Sequence, residues 1–367
     1  MLAQSNDFLK NNWFRFKKNK PAIIGLVIIF LAVMIALLGY IIAPDNTTNA
    51  DIQTVEIQAK NPGYKQLFLV LNNKTPTPES FIHILLFGKT SFYNFIPITK
   101  WETKKDELWV DKYIDDDTCV KQRYSINEIT NGHPKELKKH FIEKKYLLGT
   151  DHLGRDILSR LIIGTRVSIS VGFIAVLVSV MVGLILGTTA GYFGKRTDTV
   201  IMWIINVCWS IPTLLLVFAF TIALGKGFWQ IFFAIGLTLW INVARMVRGQ
   251  VMSIKKSLFI DAARVMGFSS SRIIIRHILP NLIGPLIVIT TSNFSVAIVM
   301  EAGLSFLGIG IQSPMPSWGL MIKENYTFII TNKAFLAFVP GISMMLLVLA
   351  FNLVGNGLRD AFDVKAT

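Results

Sequence analysis

Residues 167–194 read VSISVGFIAVLVSVMVGLILGTTAGYFG, 28 consecutive positions without one Asp, Glu, Lys or Arg. About 20 helical residues span the roughly 30 Å hydrocarbon core of a bilayer, so this stretch is long enough to cross one. Outward from it, uncharged runs of the same kind occupy 22–43, 199–225, 227–244, 278–300 and 334–358. Two or three such runs could be core helices of a large soluble protein. Six of them in 367 residues, 52% apolar and only 16% charged, leave too little polar surface to cover them. The expected fold is an all-α polytopic membrane helix bundle with six transmembrane helices.

The first run, 22–43, is expected to be retained rather than cleaved as a secretory signal. It follows a 21-residue lead and ends in Ala43-Pro44-Asp45, without a clear small-x-small cleavage site. Cys119 lies in a polar region and Cys208 inside an apolar run, so neither a disulfide nor a cysteine metal site is expected.

The net charge of +14 raises the possibility of nucleic acid, and the location of the charges answers it. The polar stretch 45–146 is nearly neutral. The other 22 Lys and Arg are sorted by side: with a cytoplasmic N-terminus and alternating spans, 16 fall inside and six outside. The outer six are Arg155, Arg160, Arg166, Lys226, Lys323 and Lys333. Short basic loops stay on the cytoplasmic face, so both termini are expected inside a bacterial cytoplasmic membrane, with basic side chains meeting anionic lipid and no nucleic acid.

The domains expected are a cytoplasmic lead 1–21, a first span 22–43, an extracytoplasmic insertion 44–146, a five-helix core 147–358 with a cytoplasmic loop 246–281, and a tail 359–367. The insertion mixes strand-like runs, Gln66–Leu71 and Glu107–Ile114, with turn signals at Asn72-Asn73 and Asn131-Gly132. A helical pattern over 134–146 ends it, and a small folded appendage is expected. Gly183, Gly187 and Gly191 recur every four residues on one helix face, where missing side chains let another helix approach. Pro212, after Ser210-Ile211, removes a helix hydrogen bond within the third run and fits either a kink beside a pathway or ordinary bundle packing.

The loop between the fourth and fifth runs, SLFIDAARVMGFSSSRIIIRHILPN over 257–281, reads as two short helices. Gly267 can close the first in the left-handed conformation, one of Ser269 to Ser271 can cap the second, and Pro280 precedes the next span. Pieces this short need packing to hold them. Ala262 and Ala263 offer a thin face, Val265, Met266 and Phe268 apolar area, and Arg264 with its neighbours a positive rim. On composition the segment fits either an element lying in another protein's groove or a hairpin on lipid headgroups.

That loop resembles the EAA loop of bacterial ABC-importer permeases: two alanines after a carboxylate, three residues, then Gly, and later a stretch to Leu-Pro. Asp261 stands where that family usually has Glu. Leu148–Asp156, Ala190–Gly194, Glu301–Gly308, Pro316–Gly319 and Asn352–Asp360 extend the likeness to the dipeptide/oligopeptide (DppC/OppC-like) permease subfamily. It covers about 8–44 and 147–365, while the insertion is longer than the corresponding outer loop of typical members.

The resemblance implies a type I ABC importer permease fold and ATPase coupling through Asp261, Ala262, Ala263, Arg264, Met266, Gly267 and Phe268. The partners it implies are a homologous second permease, two cytoplasmic ATPase subunits and an extracytoplasmic substrate-binding protein. Relatives of this type carry peptides, nickel complexes or other small solutes. No catalytic residue or cofactor is expected. Gly88-Lys89-Thr90 is a phosphate-loop fragment with His83 at the required first glycine, and no Ser-His-Asp order, metal-ligand spacing or flavin motif occurs.

Glu301 abuts the fifth run, where a carboxylate is costly unless paired or wet. It suits a gate, a binding-protein contact, or an ion pair with Arg155 or Arg160. Asp151, Arg155 and Asp156 suit an outer contact surface or a local cap with ion pairs. Two rivals remain: an ion-driven secondary transporter, for which no mid-membrane acid is evident, and a membrane-anchored adaptor or receptor acting through the insertion.

Overall fold

The computed structural model describes residues 13–72, 79–90, 93–104, 106–130, 134–225 and 227–362. Lys226, Lys365, Asn73, Asn131, Gly132, positions 1–12 of the lead and 363–367 of the tail lie outside the described residues. The chain divides into two compact units. One takes the chain up to Val33, Ser168–Gln312 and Ile342 onward; the other is Met34–Val167 with Ser313–Gly341.

The second unit is built on the insertion. Strands β1 (Tyr64–Asn72), β2 (Tyr93–Lys104), β3 (Glu107–Tyr113), β4 (Cys119–Ser125) and β5 (Phe141–Tyr146) form one antiparallel sheet in the order β4-β3-β2-β1-β5. Alternation sends neighbouring β1 residues to opposite faces. Leu69 joins Ile98, Leu108 and Val110 in one cluster, while Phe68 joins Ile57, Tyr113 and Tyr146 in another. Helix α1 (Lys20–Ile42) leads into this unit, and α2 (Phe81–Phe87) and α3 (Ile126–Thr130) connect strands. The helix expected over 134–146 is corrected. Residues Pro134–His140 form a 3-10 helix, but Phe141–Tyr146 is β5, drawn out by a six-pair ladder with β1 from Tyr64↔Tyr146 to Leu69↔Phe141.

Helices α4 (Ile157–Phe193), α5 (Lys195–Trp209), α6 (Thr213–Leu224), α7 (Phe228–Ile254), α8 (Leu258–Val265), α9 (Ser270–Phe306), α10 (Trp318–Asn325) and α11 (Phe335–Phe362) complete the chain. Five helices, α1, α4, α7, α9 and α11, are long and apolar enough to cross a membrane. The third span expected over 199–225 is not one continuous helix. It breaks at Ser210-Ile211-Pro212 into α5 and α6, which meet at 99°. Pro212 sits at the N-cap position of α6, where its missing N–H removes no helix hydrogen bond.

The glycine stripe shows why this bent pair still counts as a crossing. A Cβ at Gly183 would lie 2.5 Å from Val243 Cβ, one at Gly187 2.5 Å from Ala244 O, and one at Gly191 2.8 Å from Val251 Cβ. Numbers rise together on both helices, so α4 and α7 run parallel. A chain that descends α4 and descends again on α7 must climb back between them, and only α5 and α6 are available. Fold class and number of crossings therefore agree with a six-span bundle.

The same contacts give a stability test. Gly187→Ala forces α4 and α7 apart, an overpacking worth about 1–3 kcal/mol, and is expected to lower the thermal unfolding midpoint in detergent. Gly249, on α7, has no heavy atom of the described residues within 4 Å of its Cβ position beyond its own helical turn. Gly249→Ala is expected to leave the midpoint unchanged or raise it, by up to about 1 kcal/mol of helix propensity.

Candidate functional site

The loop after α7 lies beside the C-terminal end of α4, where Lys255 Nζ donates to the Tyr192 carbonyl. Ser257 takes an extended conformation at the N-cap position, and α8 runs for eight residues. Its end is a Schellman motif: the Gly267 N–H bonds Arg264 O at 2.9 Å, and the Phe268 N–H bonds Ala263 O at 3.1 Å. Gly267 has φ +75°, the left-handed region, as its place in the sequence requires. Ser269 occupies the next N-cap position.

The second helix of the pair is not separate, which corrects the sequence expectation. Ser270–Ile273 passes through a π turn at Ile274–Ile278 directly into the long span, making α9 one helix. The Leu279 N–H reaches back to Ile274 O. That wider turn accommodates Pro280, whose ring would clash with a regular turn.

Ile260, Ala263, Ile273 and Ile278 bury themselves against Val247 and Val251 of α7, with Phe268 packed on the same cluster. Arg272 lies 4.2 Å over the Phe268 ring. Ala263 is thus spent inside the chain, and of the two alanines only Ala262 is on the open face, because one helical step rotates the side chain by about 100°. That face presents Leu258 at 88%, Val265 at 89% and Met266 at 63% exposure. Asp261 is paired to Arg264 at 3.0 Å beside them. A firmly seated element with its largest apolar side chains turned outward is suited to being gripped.

In the other unit, Asp151 accepts hydrogen bonds from the Leu153 N–H at 2.9 Å and the Arg155 N–H at 3.0 Å, folding 151–155 into a turn. Arg155, with no exposed surface, binds Asp151 at 2.6 Å, Asp51 at 3.1 Å and Glu324 at 2.7 Å. Arg160 approaches the same carboxylates at 3.6, 3.8 and 3.4 Å. Burial alone would pull the Arg155 guanidinium down, but Asp151 and Glu324 outweigh it and hold it above its ordinary value. Asp156 stands before α4 and accepts from the Ser159 N–H at 2.9 Å and from the Ser159 hydroxyl, while burial pushes its carboxyl above the usual carboxylate range. With Arg155 wholly enclosed and Asp151 2% exposed, the pair is geometrically a cap and ion-pair knot, with no surface of its own to offer.

Asp151, His152 and Glu324 also place three possible metal-ligand atoms within 4.8 Å of one another. The carboxylates among them already carry two guanidinium groups, so the surroundings suit a cation poorly. Glu301, 1% exposed in the last turns of α9, accepts from Ser305 Oγ at 2.6 Å, and Ser305 Oγ in turn accepts from the Ile311 N–H at 3.1 Å. The Glu301–Gly308 motif thereby closes the span helix. Pro316–Gly319 starts α10, with Ser317 Oγ accepting from the Leu320 N–H and Trp318 Nε1 donating to Leu161 O at 3.2 Å, and this helix delivers Glu324 to the arginines. Nothing local in the sequence marks Asp51 or Glu324; they meet Arg155 across 104 and 169 residues.

The family described as binding-protein-dependent transport system inner membrane component matches residues 179–367, and the N-terminal TM domain of oligopeptide transport permease C matches 7–62. The oligopeptide transport system permease protein OppC of Bacillus subtilis is 38% identical over 242 residues, 66% of this chain and 77% of that protein. The dipeptide transport system permease protein DppC of Alkalihalophilus pseudofirmus is 41% identical over 221 residues, 60% of this chain and 72% of that protein. The glutathione transport system permease protein GsiD of Pectobacterium atrosepticum is 40% identical over 218 residues, 59% of this chain and 72% of that protein.

Proposed function

Because the chain belongs to the family of binding-protein-dependent transport system inner membrane components, we propose that it is one permease subunit of an ABC importer for peptides or similar small solutes. It forms half of the pathway with a homologous second permease, receives cargo from an extracytoplasmic binding protein, and is driven by two ATPase subunits. The relatives' names, for oligopeptides, dipeptides and glutathione, support this cargo class. Both termini and the 246–281 loop face the cytoplasm, and the 44–146 insertion faces outward, a reading supported by 16 of the 22 basic residues outside 45–146 falling on the loop side.

The observation that carries the coupling role is the exposed apolar face of α8, fixed from behind by the core. ATP closes the ATPase dimer, its groove moves α8, and the rigid seat of Ile260 and Ala263 passes the displacement to α7 and α9. The spans then exchange inward-facing for outward-facing states, and hydrolysis resets them. Energy enters mechanically, so the permease contributes no catalytic group. Lipid headgroups would accept the same apolar face but would not account for a handle seated on two spans.

The test is Ala262→Cys in a chain whose Cys119 and Cys208 are serines, treated with a short thiol-to-amine crosslinker in assembled membranes. Capture of an ATPase subunit, altered by nucleotide, is expected. Labelling of residue 262 from the outside, or capture of lipid alone, would sink the proposal.

A further inference from the structure

Arg245 sits on α7 next to Ala244, and Ala244 is the residue against which Gly187 of α4 packs. Seven residues separate Gly187 from Gly194, the end of the uncharged stretch of α4, so Arg245 lies about 10 Å inside that limit. A guanidinium at such depth is costly unless it is paired or reaches water. Arg248, three residues on, is paired, holding Asp198 through two hydrogen bonds of 2.5 and 2.6 Å. Arg245 has no carboxylate within 4.0 Å among the described residues. One of its terminal nitrogens donates to Asn206 Oδ1 at 3.1 Å, its Cζ lies 3.6 Å over the centre of the Trp209 ring, and its buried Nε has no hydrogen-bond partner among the described residues.

The surroundings of this group mix apolar side chains with polar ones, and the polar ones are open. Asn206, Trp209, Ser210 and Asn242 are all exposed, and they meet where α5 and α6 break at 99°. Irregular backbone and clustered amides at membrane depth are tolerated where they line a water-filled cavity or are covered by protein, not against lipid tails. A guanidinium stacked on an indole keeps its edge free for a planar, two-oxygen acceptor.

We propose that Arg245, backed by Trp209 and oriented by Asn206, is a pathway subsite that binds a carboxylate of the cargo, such as the C-terminus of a peptide, as it passes the broken span. This rests on the importer reading above. The cargo would provide the counter-ion that the described residues do not, as a charge-assisted pair made only in transit.

The experiment is uptake by the assembled importer with its binding protein in proteoliposomes, using one peptide with a free C-terminus and the same peptide amidated. Arg245→Gln is expected to cut uptake of the free acid about tenfold or more, the loss of one charge-assisted contact. Uptake of the amide should change less than twofold, and Arg245→Lys, which keeps the charge but not the planar two-nitrogen edge, should recover part of the free-acid rate. Equal losses for both peptides, or no loss for either, would overturn the subsite and point to a contact with the second permease or to none. Where the wild type carries no amide, the lysine variant decides: a free-acid rate above that of Arg245→Gln supports the site, and a rate no higher rejects it. If the wild type carries neither peptide, the importer reading itself has failed and the subsite falls with it.

Discussion

Valine at position 267 is expected to abolish uptake while membrane insertion and abundance stay normal. Gly267 has φ +75°, and beyond its chain neighbours no heavy atom of the described residues lies within 4 Å of the position its Cβ would take. The penalty of a side chain is therefore conformational: about 1–2 kcal/mol for any L-residue in the left-handed region, and more for a β-branched one. At about 1.4 kcal/mol per factor of ten, the correctly closed turn falls in population by roughly 5- to 30-fold or beyond. Helix α8 has only eight residues and little stability of its own, so the turn has no reserve to absorb this. Losing the Schellman bonds frees Phe268 from the core and turns Leu258, Val265 and Met266 away from their common face.

Asparagine separates two causes of such a loss, since it enters the left-handed region at lower cost than valine. Gly267→Asn is expected to retain most of the uptake if the turn alone matters. Equal loss with both residues would mean that the ATPase approaches the bare backbone at 267, because this chain leaves that space open. Uptake normalised to membrane abundance is the measurement, and an unchanged rate in Gly267→Val would remove the loop from the coupling path.

The legible parts of this protein are those encoded locally. An uncharged run of 22 or 28 residues needs no partner to declare itself, and a glycine that must take positive φ after a short amphipathic helix is a local signal too. Where the outcome depends on a distant partner, the sequence reading fails or stays open. Phe141–Tyr146 carries a pattern usable by helix or strand, and β1 decides for strand. Hydropathy cannot register the 99° break, because Ser210-Ile211-Pro212 is as uncharged as its flanks. In the loop, the resemblance names Ala262 and Ala263 together, yet the phase of α8 against α7 buries one and exposes the other. Arg245 reads in the sequence as one more basic residue, and what sets it apart from Arg248 is that no carboxylate among the described residues lies within 4.0 Å of it.

Arg155→Met is expected to cause the largest loss of folded protein. Among the described residues Arg155 and Arg160 are the two cations paired with Asp51, Asp151 and Glu324, so removing one leaves three carboxylates sharing a single guanidinium. Arg160 as placed is a poor substitute, because its Nε and one terminal nitrogen lie beyond hydrogen-bond reach of the acids, at 3.6 and 3.8 Å. Breaking a buried ion pair by deleting one member costs about 3–5 kcal/mol, most of it the burden of the charges left behind. For a unit of this size that corresponds to a fall on the order of 10 °C in the midpoint of thermal unfolding, or to degradation before assembly.

Glu324→Gln distinguishes charge balance from lost packing. It keeps an oxygen that can accept from Arg155 and leaves two cations facing two acids, so its cost is expected to be about 1.5 kcal/mol or less, that of weakening one hydrogen bond. Membrane abundance and unfolding in detergent measure both variants. Should Arg155→Met prove as abundant and as heat-resistant as the wild type yet fail in uptake, the knot would have to be given a role in the transport cycle, because an enclosed cation among three acids would then be held for something other than the fold.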